Sequence, residues 1–200
     1  MGKLSKEKKD INIGVLALQG AFREHINSLK KCGVNAQEIK YPNQLKNIDG
    51  LIIPGGESTT ISKLINKYDF KTYLDEYYHS GKAIYGTCAG LILVAKKIKN
   101  EDFGLGYIDV EVERNSYGRQ IDSFEEYVWL KFDNEKKFKA IFIRAPRIIS
   151  AGPEVEILSK INNDIILARQ KNILVSTFHP ELGDDLRIHE YFLKMVLDLY

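Results

Sequence analysis

The order of hydrophobic and polar residues in the first hundred positions predicts strands and helices in turn. Short strands are predicted at 12–18, 35–40, 50–53 and 82–85. Helices are predicted at 21–32, 58–68, 70–80 and 89–97. In the first of these helices, for example, Phe22, Ile26 and Leu29 recur at helical spacing. Alternating strands and helices are typical of a mostly parallel sheet that is covered by helices on both faces.

The second half of the chain has a different pattern, in which strands follow one another without helices. These strands are predicted at 107–114, 127–132, 140–143, 154–158, 165–168 and 173–177, and a closing helix is predicted at 185–199. We interpret the run as antiparallel additions to the sheet followed by its last core strand. The prediction is therefore a single α/β domain over residues 11–200.

Composition agrees with a globular domain, since 44% of the 200 residues are hydrophobic. The net charge is +2, and residues 1–10 alone carry four lysines against two acidic residues. The remaining chain is therefore balanced in charge, which argues against a nucleic-acid partner. We expect residues 1–10 to form a disordered tail.

The lysines before the apolar run at 11–18 superficially resemble a secretory signal. That run is short, is interrupted by Asn12 and lacks a small-residue cleavage site. No run approaches the roughly 18 apolar residues of a membrane span. We expect a cytoplasmic protein without a membrane partner.

Cys88 carries the chemistry that the sequence shows most clearly. It follows a short apolar run, has Gly86 and Gly90 on either side, and precedes the apolar stretch 91–95. This layout is typical of a nucleophile elbow, in which a strand turns sharply into a helix and presents the side chain at the turn. The alternative is a small core residue, which is how we interpret Cys32 at the end of the first helix.

A base for this thiol is available in the segment His179-Pro180-Glu181. In an extended segment, residues two apart project to the same side, so Glu181 can orient the His179 imidazole. Cysteine followed by histidine and a carboxylate is the order of a nucleophile, a base and an orienting group. A zinc site from the same three residues lacks the usual ligand spacing.

The glycines at 54–56 lie between a predicted strand and a predicted helix. Such loops bind anions through backbone N–H groups, and acyl transfer needs such donors where charge develops on the carbonyl oxygen. Gly56 and Ala89 are the candidate oxyanion donors. The alternative is a structural turn in which Ser58 or Thr59 caps the helix.

Six segments together resemble one enzyme family. They are LALQGA at 16–21, PGGEST at 54–59, GTCAG at 86–90, ERNSYGRQ at 113–120, IRAP at 143–146 and FHPE at 178–181. In this order they resemble the glutaminase subunits of two-component pyridoxal 5′-phosphate synthases, which are class I glutamine amidotransferases. The resemblance implies a flavodoxin-like three-layer sandwich and the hydrolysis of L-glutamine to glutamate and ammonia, with no cofactor or metal.

The resemblance also implies roles for particular residues. Cys88, His179 and Glu181 would form the catalytic triad, with a thioester intermediate on the cysteine. Contacts to L-glutamine would come from Gly56, Glu57, Ser58, Arg114, Ile143 and Arg144. Arginine forks suit the substrate carboxylate, although a surface salt bridge is the more common fate of an arginine.

The implied partner is a (β/α)8-barrel synthase subunit, in a large hetero-oligomer, that receives the ammonia and activates the glutaminase. The segment Gln19-Gly20-Ala21 would lie near that interface and influence Gly55 and Gly56. The alternatives are a glutaminase subunit of another amidotransferase, a flavodoxin-like cysteine hydrolase that does not use glutamine, and a silent regulatory subunit. His25, His79 and His189 are predicted to be structural or solvated.

Overall fold

The computed structural model describes residues 6–101, 103–114 and 123–200. Its α-helices in these ranges are α1 (Phe22–Lys31), α2 (Ser58–Lys67), α3 (Phe70–His79), α4 (Ala89–Val94) and α5 (Arg187–Leu197). Its strands are β1 (Asn12–Leu16), β2 (Asn35–Ile39), β3 (Gly50–Ile53), β4 (Ala83–Thr87), β5 (Ala95–Ile98), β6 (Ile108–Glu113), β7 (Ser123–Leu130), β8 (Asp133–Ile143), β9 (Arg147–Ala151), β10 (Glu156–Ile161), β11 (Asp164–Gln170) and β12 (Ile173–Ser176). Short 3-10 helices occur at Lys8–Asp10, Pro42–Asn47 and Pro180–Leu182.

The main sheet has a parallel half and a mixed half. Strands β2, β1, β3, β4 and β12 are neighbours in that order and are all parallel. This is the strand order of flavodoxin-like sheets, with β12 as the fifth core strand. Beyond β12 the sheet continues through β11, β9 and β6 by antiparallel pairing, and β5 pairs in parallel with β6. The predicted α/β fold with antiparallel additions is confirmed.

The sheet separates two apolar layers. Successive side chains of a strand point to opposite faces, so Leu51 and Ile53 pack on one side while Ile52 packs on the other. Helices α2, α3 and α4 cover the first face, and α1 and α5 cover the second. The three-layer arrangement is therefore confirmed, and the carboxyl ends of the parallel strands open towards one edge of the sandwich.

The structure differs from the sequence prediction at β5 and at β9. The helix predicted at 89–97 ends at Val94, and Ala95–Ile98 forms strand β5 beside β6. A short apolar run does not by itself distinguish a helix from a buried strand, and here pairing with β6 decides the outcome. Strand β9 (Arg147–Ala151) was not predicted, because the exposed apolar Ile149 next to the buried Ile148 breaks the alternation of apolar and polar residues.

Strands β7 and β8 form a separate two-stranded antiparallel sheet, not an addition to the main sheet. Val128, Phe138 and Phe142 on this hairpin are buried in the same apolar layer as α1 and α5. The hairpin therefore packs over the second face of the main sheet. Its last residue, Ile143, reaches the edge where the functional residues gather.

Residues 1–5 of the predicted tail lie outside the described residues. Lys6 donates a hydrogen bond to Asp49 at 2.6 Å, and Lys8–Asp10 form a single 3-10 turn. The division between a tail and a domain at residue 11 stays a prediction. Within the described ranges, no helix is both long enough and apolar enough to cross a bilayer.

Candidate active site

Cys88 lies in the sharp turn between β4 and α4. Its φ of 48° and ψ of −102° lie outside the regions that L-residues favour, so the backbone is strained at this residue. The helix packs very close to the strands. A Cβ on Gly90 would lie 1.9 Å from the Ile53 carbonyl oxygen, and one on Gly86 would lie 2.8 Å from the Gly90 carbonyl carbon. The predicted strand–turn–helix, with glycines that permit close approach, is confirmed.

His179 and Glu181 lie beside Cys88. His179 Nδ1 is 2.7 Å from Glu181 Oε1, and the imidazole lines the same cleft as the Cys88 side chain. Because Nδ1 faces the carboxylate, Nε2 is the nitrogen that remains for the thiol. The His179 amide also donates to the Ile141 carbonyl at 2.8 Å, which ties this segment to β8.

The local conformation of this segment differs from the extended one that we predicted. Residues Pro180–Leu182 form a 3-10 helix, and His179 is its N-cap. Proline suits the first position of a helix because its φ is already fixed there and its missing N–H is not needed. The imidazole and the carboxylate still meet, but through a helical turn.

The electrostatics favour a charged pair at His179 and Glu181. Burial opposes the charged form of His179, but hydrogen bonds with Cys88 and Glu181 raise its pKa to about 10. Burial likewise opposes the charged form of Glu181, but the hydrogen bond from His179 and the charge of that ring hold the pKa of Glu181 below the usual value. The site therefore stabilises an imidazolium next to Cys88.

The end of β8 forms one wall of the site. The carbonyl oxygen of Ile143 lies 3.9 Å from Cys88 Sγ. Arg144, the next residue, has a φ of 43°, an unusual value for a residue with a side chain. Strain at two adjoining positions of the site, Cys88 and Arg144, is typical of residues that the surrounding structure holds for a function.

The loop with the predicted oxyanion donor is tied to the segment before α1. Gly55 accepts a hydrogen bond from the Ala21 amide at 2.9 Å, and Gln19 Oε1 accepts one from the Glu57 amide at 2.8 Å. In a trans peptide the C=O and N–H point in opposite directions, so the Gly56 N–H points away from Ala21. The second predicted donor, Ala89, begins α4, where amides have no partner within the helix.

The alternative that Ser58 or Thr59 caps α2 is not supported. The N-cap position is Glu57, and no side chain caps the helix there. Thr59 instead accepts a hydrogen bond from Arg114 at 2.9 Å.

A cleft of about 230 Å³ joins these elements. Its lining includes the nucleophile and base candidates, both oxyanion candidates and every predicted substrate contact, namely Cys88, His179, Ala89, Gly56, Glu57, Ser58, Arg114, Ile143 and Arg144, together with Gln19 and Ile92. Glu181 lies behind His179 and is buried. A larger cleft of about 420 Å³, lined by His79, Asn172 and neighbours, lies at the opposite edge of the sheet.

Arg114 is held by carboxylates at the rim of this cleft. Its guanidinium donates to both carboxylate oxygens of Glu101, at 2.9 and 3.1 Å, and to Glu57 at 3.2 Å. The arginine is thus oriented by Glu101, a residue that the sequence analysis did not single out. Residues 115–120 of the segment that begins at Glu113 lie outside the described residues.

Two further histidines, His25 on α1 and His189 on α5, are fully buried beneath the site. His25 Nε2 lies 3.3 Å from Glu181 Oε2, a contact that the sequence analysis missed because 156 positions of the chain separate the two residues. Cys32 is buried in the apolar layer at the end of α1, as predicted. Among the described residues, no group of three or more His, Cys, Asp and Glu side chains has the arrangement of a metal site.

Comparisons with known proteins agree with this geometry. A sequence model described as the SNO glutamine amidotransferase family matches residues 15–198. The chain is 54% identical over 187 residues to "Pyridoxal 5′-phosphate synthase subunit PdxT" of Bacillus licheniformis, covering 93% of this chain and 95% of the relative. It is 53% identical over 185 residues to the protein of the same name from Fervidobacterium nodosum, covering 92% and 96% of the two chains.

A solved structure gives the same indication. The chain is similar to one described as "Crystal structure of glutamine amidotransferase", with a TM-score of 0.87 and 43% sequence identity. The match covers 92% of this chain and 98% of the solved one.

Proposed function

The chain belongs to the SNO glutamine amidotransferase family and is the glutaminase subunit of a pyridoxal 5′-phosphate synthase, and on this basis we propose that it hydrolyses L-glutamine through Cys88, His179 and Glu181. The observation that carries the proposal is that Cys88, at the turn into α4, shares a cleft with His179, whose Nδ1 is 2.7 Å from Glu181 Oε1. This arrangement would supply a nucleophile and a base in one cleft, with an orienting carboxylate behind the base.

The first half of the reaction forms an acyl-enzyme. The Cys88 sulfur attacks the side-chain amide carbon of glutamine, and negative charge develops on the amide oxygen. The Gly56 and Ala89 amides would donate hydrogen bonds to that oxygen. When the tetrahedral intermediate collapses, the C–N bond breaks, His179 gives its proton to the nitrogen, and ammonia leaves with a thioester on Cys88.

The second half hydrolyses the thioester. His179, now neutral, takes a proton from water, and the resulting hydroxide attacks the thioester carbon. The C–S bond breaks and glutamate is released, which frees the Cys88 sulfur and leaves His179 protonated for the next turnover. Glu181 keeps the imidazole in one orientation through both halves, because its carboxylate accepts from Nδ1 in each charge state.

The rim of the cleft would select free glutamine. Arg114 and Arg144 would hold the α-carboxylate, and Glu57 and the Ile143 carbonyl would face the α-ammonium. Glu57 and Arg114 contact each other at 3.2 Å, so they form a charged pair of the same signs as the two ends of an amino acid. Gly56 and Ser58 complete the wall on the α2 side.

Ammonia needs a protected acceptor, since in water at neutral pH most of it becomes ammonium. The subunit acts with the synthase subunit of its enzyme, which we propose to be a (β/α)8 barrel that consumes the ammonia in a large hetero-oligomer. We place this assembly in the cytoplasm, where a reducing environment keeps a reactive thiol free.

We further propose that docking activates the glutaminase through the segment Gln19-Gly20-Ala21. This segment holds the oxyanion loop by two hydrogen bonds, and a Cβ on Gly20 would lie 1.9 Å from the Gly55 carbonyl oxygen. A small movement of the segment would therefore move the Gly55–Gly56 peptide. Any partner that contacts residues 19–21 can change the position of an oxyanion donor.

Ammonia release from L-glutamine, measured with and without the cognate synthase subunit, tests this proposal. We expect release that requires the partner and that is abolished by Cys88→Ala, while Cys32→Ala serves as the control for losing the other thiol. Full release by Cys88→Ala would contradict the nucleophile assignment. Equal release without the partner would contradict activation by docking. His179→Asn should still bind the synthase subunit while it loses turnover.

A further inference from the structure

A buried pair of histidines continues the polar series beyond Glu181. His25 on α1 and His189 on α5 are both 0% exposed, and His25 Nδ1 lies 3.0 Å from His189 Nε2. On its other side, His25 Nε2 lies 3.1 Å from Thr87 Oγ1 and 3.3 Å from Glu181 Oε2. Thr87 immediately precedes Cys88. His25 therefore contacts both the strand that leads to the nucleophile and the carboxylate behind His179.

The hydrogen bond between His25 Nε2 and Thr87 Oγ1 fits either tautomer, because a hydroxyl both donates and accepts, so Glu181 and His189 decide which arrangement of protons is favoured. A carboxylate only accepts hydrogen bonds, so a bare His25 Nε2 would place its lone pair against Glu181 Oε2. The tautomer with the hydrogen on Nε2 is therefore favoured, and its N–H also has Thr87 Oγ1 as an acceptor at 3.1 Å. A neutral imidazole has one N–H, so His25 Nδ1 is the acceptor and His189 Nε2 is the donor to it. His189 Nδ1 is then bare, and it has no hydrogen-bond partner within the described residues.

Both rings are neutral because burial penalises their charged forms. Burial lowers the pKa of His189 to about 3, and it lowers the pKa of His25 even though Glu181 acts in the opposite direction. The groups around His25 are Glu181 and His179 next to the 3-10 turn, Thr87 and Tyr85 on β4, His189 on α5 and Glu24 on its own helix. Glu181 is the nearest charged group that its ring contacts.

We propose that neutral His25, held as its Nε2–H tautomer by His189, is a positioning residue for Glu181, an inference that rests on the proposed glutaminase function. The buried Oε2 of Glu181 has no hydrogen-bond partner within the described residues, and the His25 N–H dipole is the polar group 3.3 Å from it. This electrostatic contact keeps the carboxylate ionised and keeps it from rotating, so that Oε1 stays on His179 Nδ1. Without this contact, the ionised form of Glu181 is less stable and its carboxylate is free to rotate away from His179.

Two substitutions of His25 separate positioning from packing. In His25→Gln, the side-chain amide nitrogen can occupy the place of Nε2 and keep a donor near Glu181. In His25→Asn, the shorter side chain places its amide near the Nδ1 position and leaves Glu181 Oε2 without that donor. Both variants remove the imidazole, so a purely structural role predicts similar losses in the two.

The test measures glutamine-dependent ammonia release by each variant in the complete complex with the synthase subunit. We expect His25→Asn to lower kcat by about tenfold to a hundredfold with little change in KM, since a small misorientation of a reacting group costs this much. We expect His25→Gln to retain kcat within about threefold. Equal losses in the two variants, or an unchanged kcat in a folded His25→Asn complex, would overturn the proposal.

A spectroscopic readout on the unmodified protein covers the case in which the variants fail to fold. Nitrogen-15 NMR of the histidine rings should show His25 protonated at Nε2 and bare at Nδ1, with His189 in the same tautomer, at neutral pH. Protonation of His25 at Nδ1 would overturn the proposal. If the unmodified complex released no ammonia from glutamine, the proposed function would fail. The NMR measurement would still decide which nitrogen of His25 is protonated.

Discussion

Gly55 lies against the His179 imidazole. A Cβ on Gly55 would come within 2.3 Å of His179 Cε1 and 2.9 Å of Nδ1, and within 3.4 Å of the Cys88 Cβ. No side chain fits at this position unless the imidazole moves. The absence of a side chain at residue 55 is therefore what lets the His179 ring occupy its place beside Cys88 and Glu181.

The substitution Gly55→Ala should consequently displace the ring from both Cys88 and Glu181. We expect kcat for ammonia release to fall by about a hundredfold or more, because a displacement of about 1 Å of a reacting group costs that much. Gly183→Ala is the matched control, since a Cβ there meets nothing closer than 3.9 Å. Wild-type activity in a folded Gly55→Ala protein would show that the His179 ring position is not critical.

The raised pKa of His179 makes the folded state sensitive to alkaline pH. A group whose pKa is higher in the folded state stabilises that state fully below the unfolded pKa of about 6.5, and this stabilisation is lost as pH rises towards the folded value of about 10. The free energy of unfolding should therefore decline between pH 6.5 and 10 more steeply in the wild type than in His179→Asn. Denaturant titrations across this range measure the difference. Parallel curves for the two proteins would mean that the pKa of His179 is not raised.

Arg114 should act on substrate binding more than on chemistry. Its guanidinium is fixed by Glu101 on one side and by Glu57 and Thr59 on the other. Arg114→Lys keeps the charge but loses the planar fork, so we expect KM for glutamine to rise at least about tenfold while kcat changes little. Lys131→Ala, which removes an exposed ion pair with Glu156, is the control. A fall in kcat at constant KM would contradict this role.

The sequence allowed prediction of the elements that carry the chemistry for identifiable physical reasons. Glycines on both sides of Cys88, after an apolar run, permit the sharp turn of a strand into a closely packed helix, and the structure has that turn. The parallel core was predictable because its central strands β3, β4 and β12 are short buried runs next to predicted helices, although the edge strand β2 is mostly polar. A residue whose role depends on the backbone conformation of its own segment can thus be predicted from the sequence of that segment.

Other features depend on contacts that local pattern does not encode. The local pattern predicts a helix through the residues of β5. It cannot show the pairing that makes them a strand, because the partner β6 begins ten residues after β5 ends. The contact of His25 with Glu181 joins α1 to the turn after β12, and the Arg114–Glu101 pair depends on how two loops meet. Each of these needs the three-dimensional arrangement of elements that are separate in sequence.

The most direct test of the account is to trap the acyl-enzyme. The complex with the synthase subunit is quenched in acid during turnover of L-glutamine, and the digested subunit is mapped by mass spectrometry. We predict a glutamyl thioester on the peptide that contains Cys88, none on the peptide that contains Cys32, and none in Cys88→Ala. Steady turnover of glutamine by the Cys88→Ala complex, or an adduct that maps to another residue, would contradict the central claim that the Cys88 sulfur attacks the substrate.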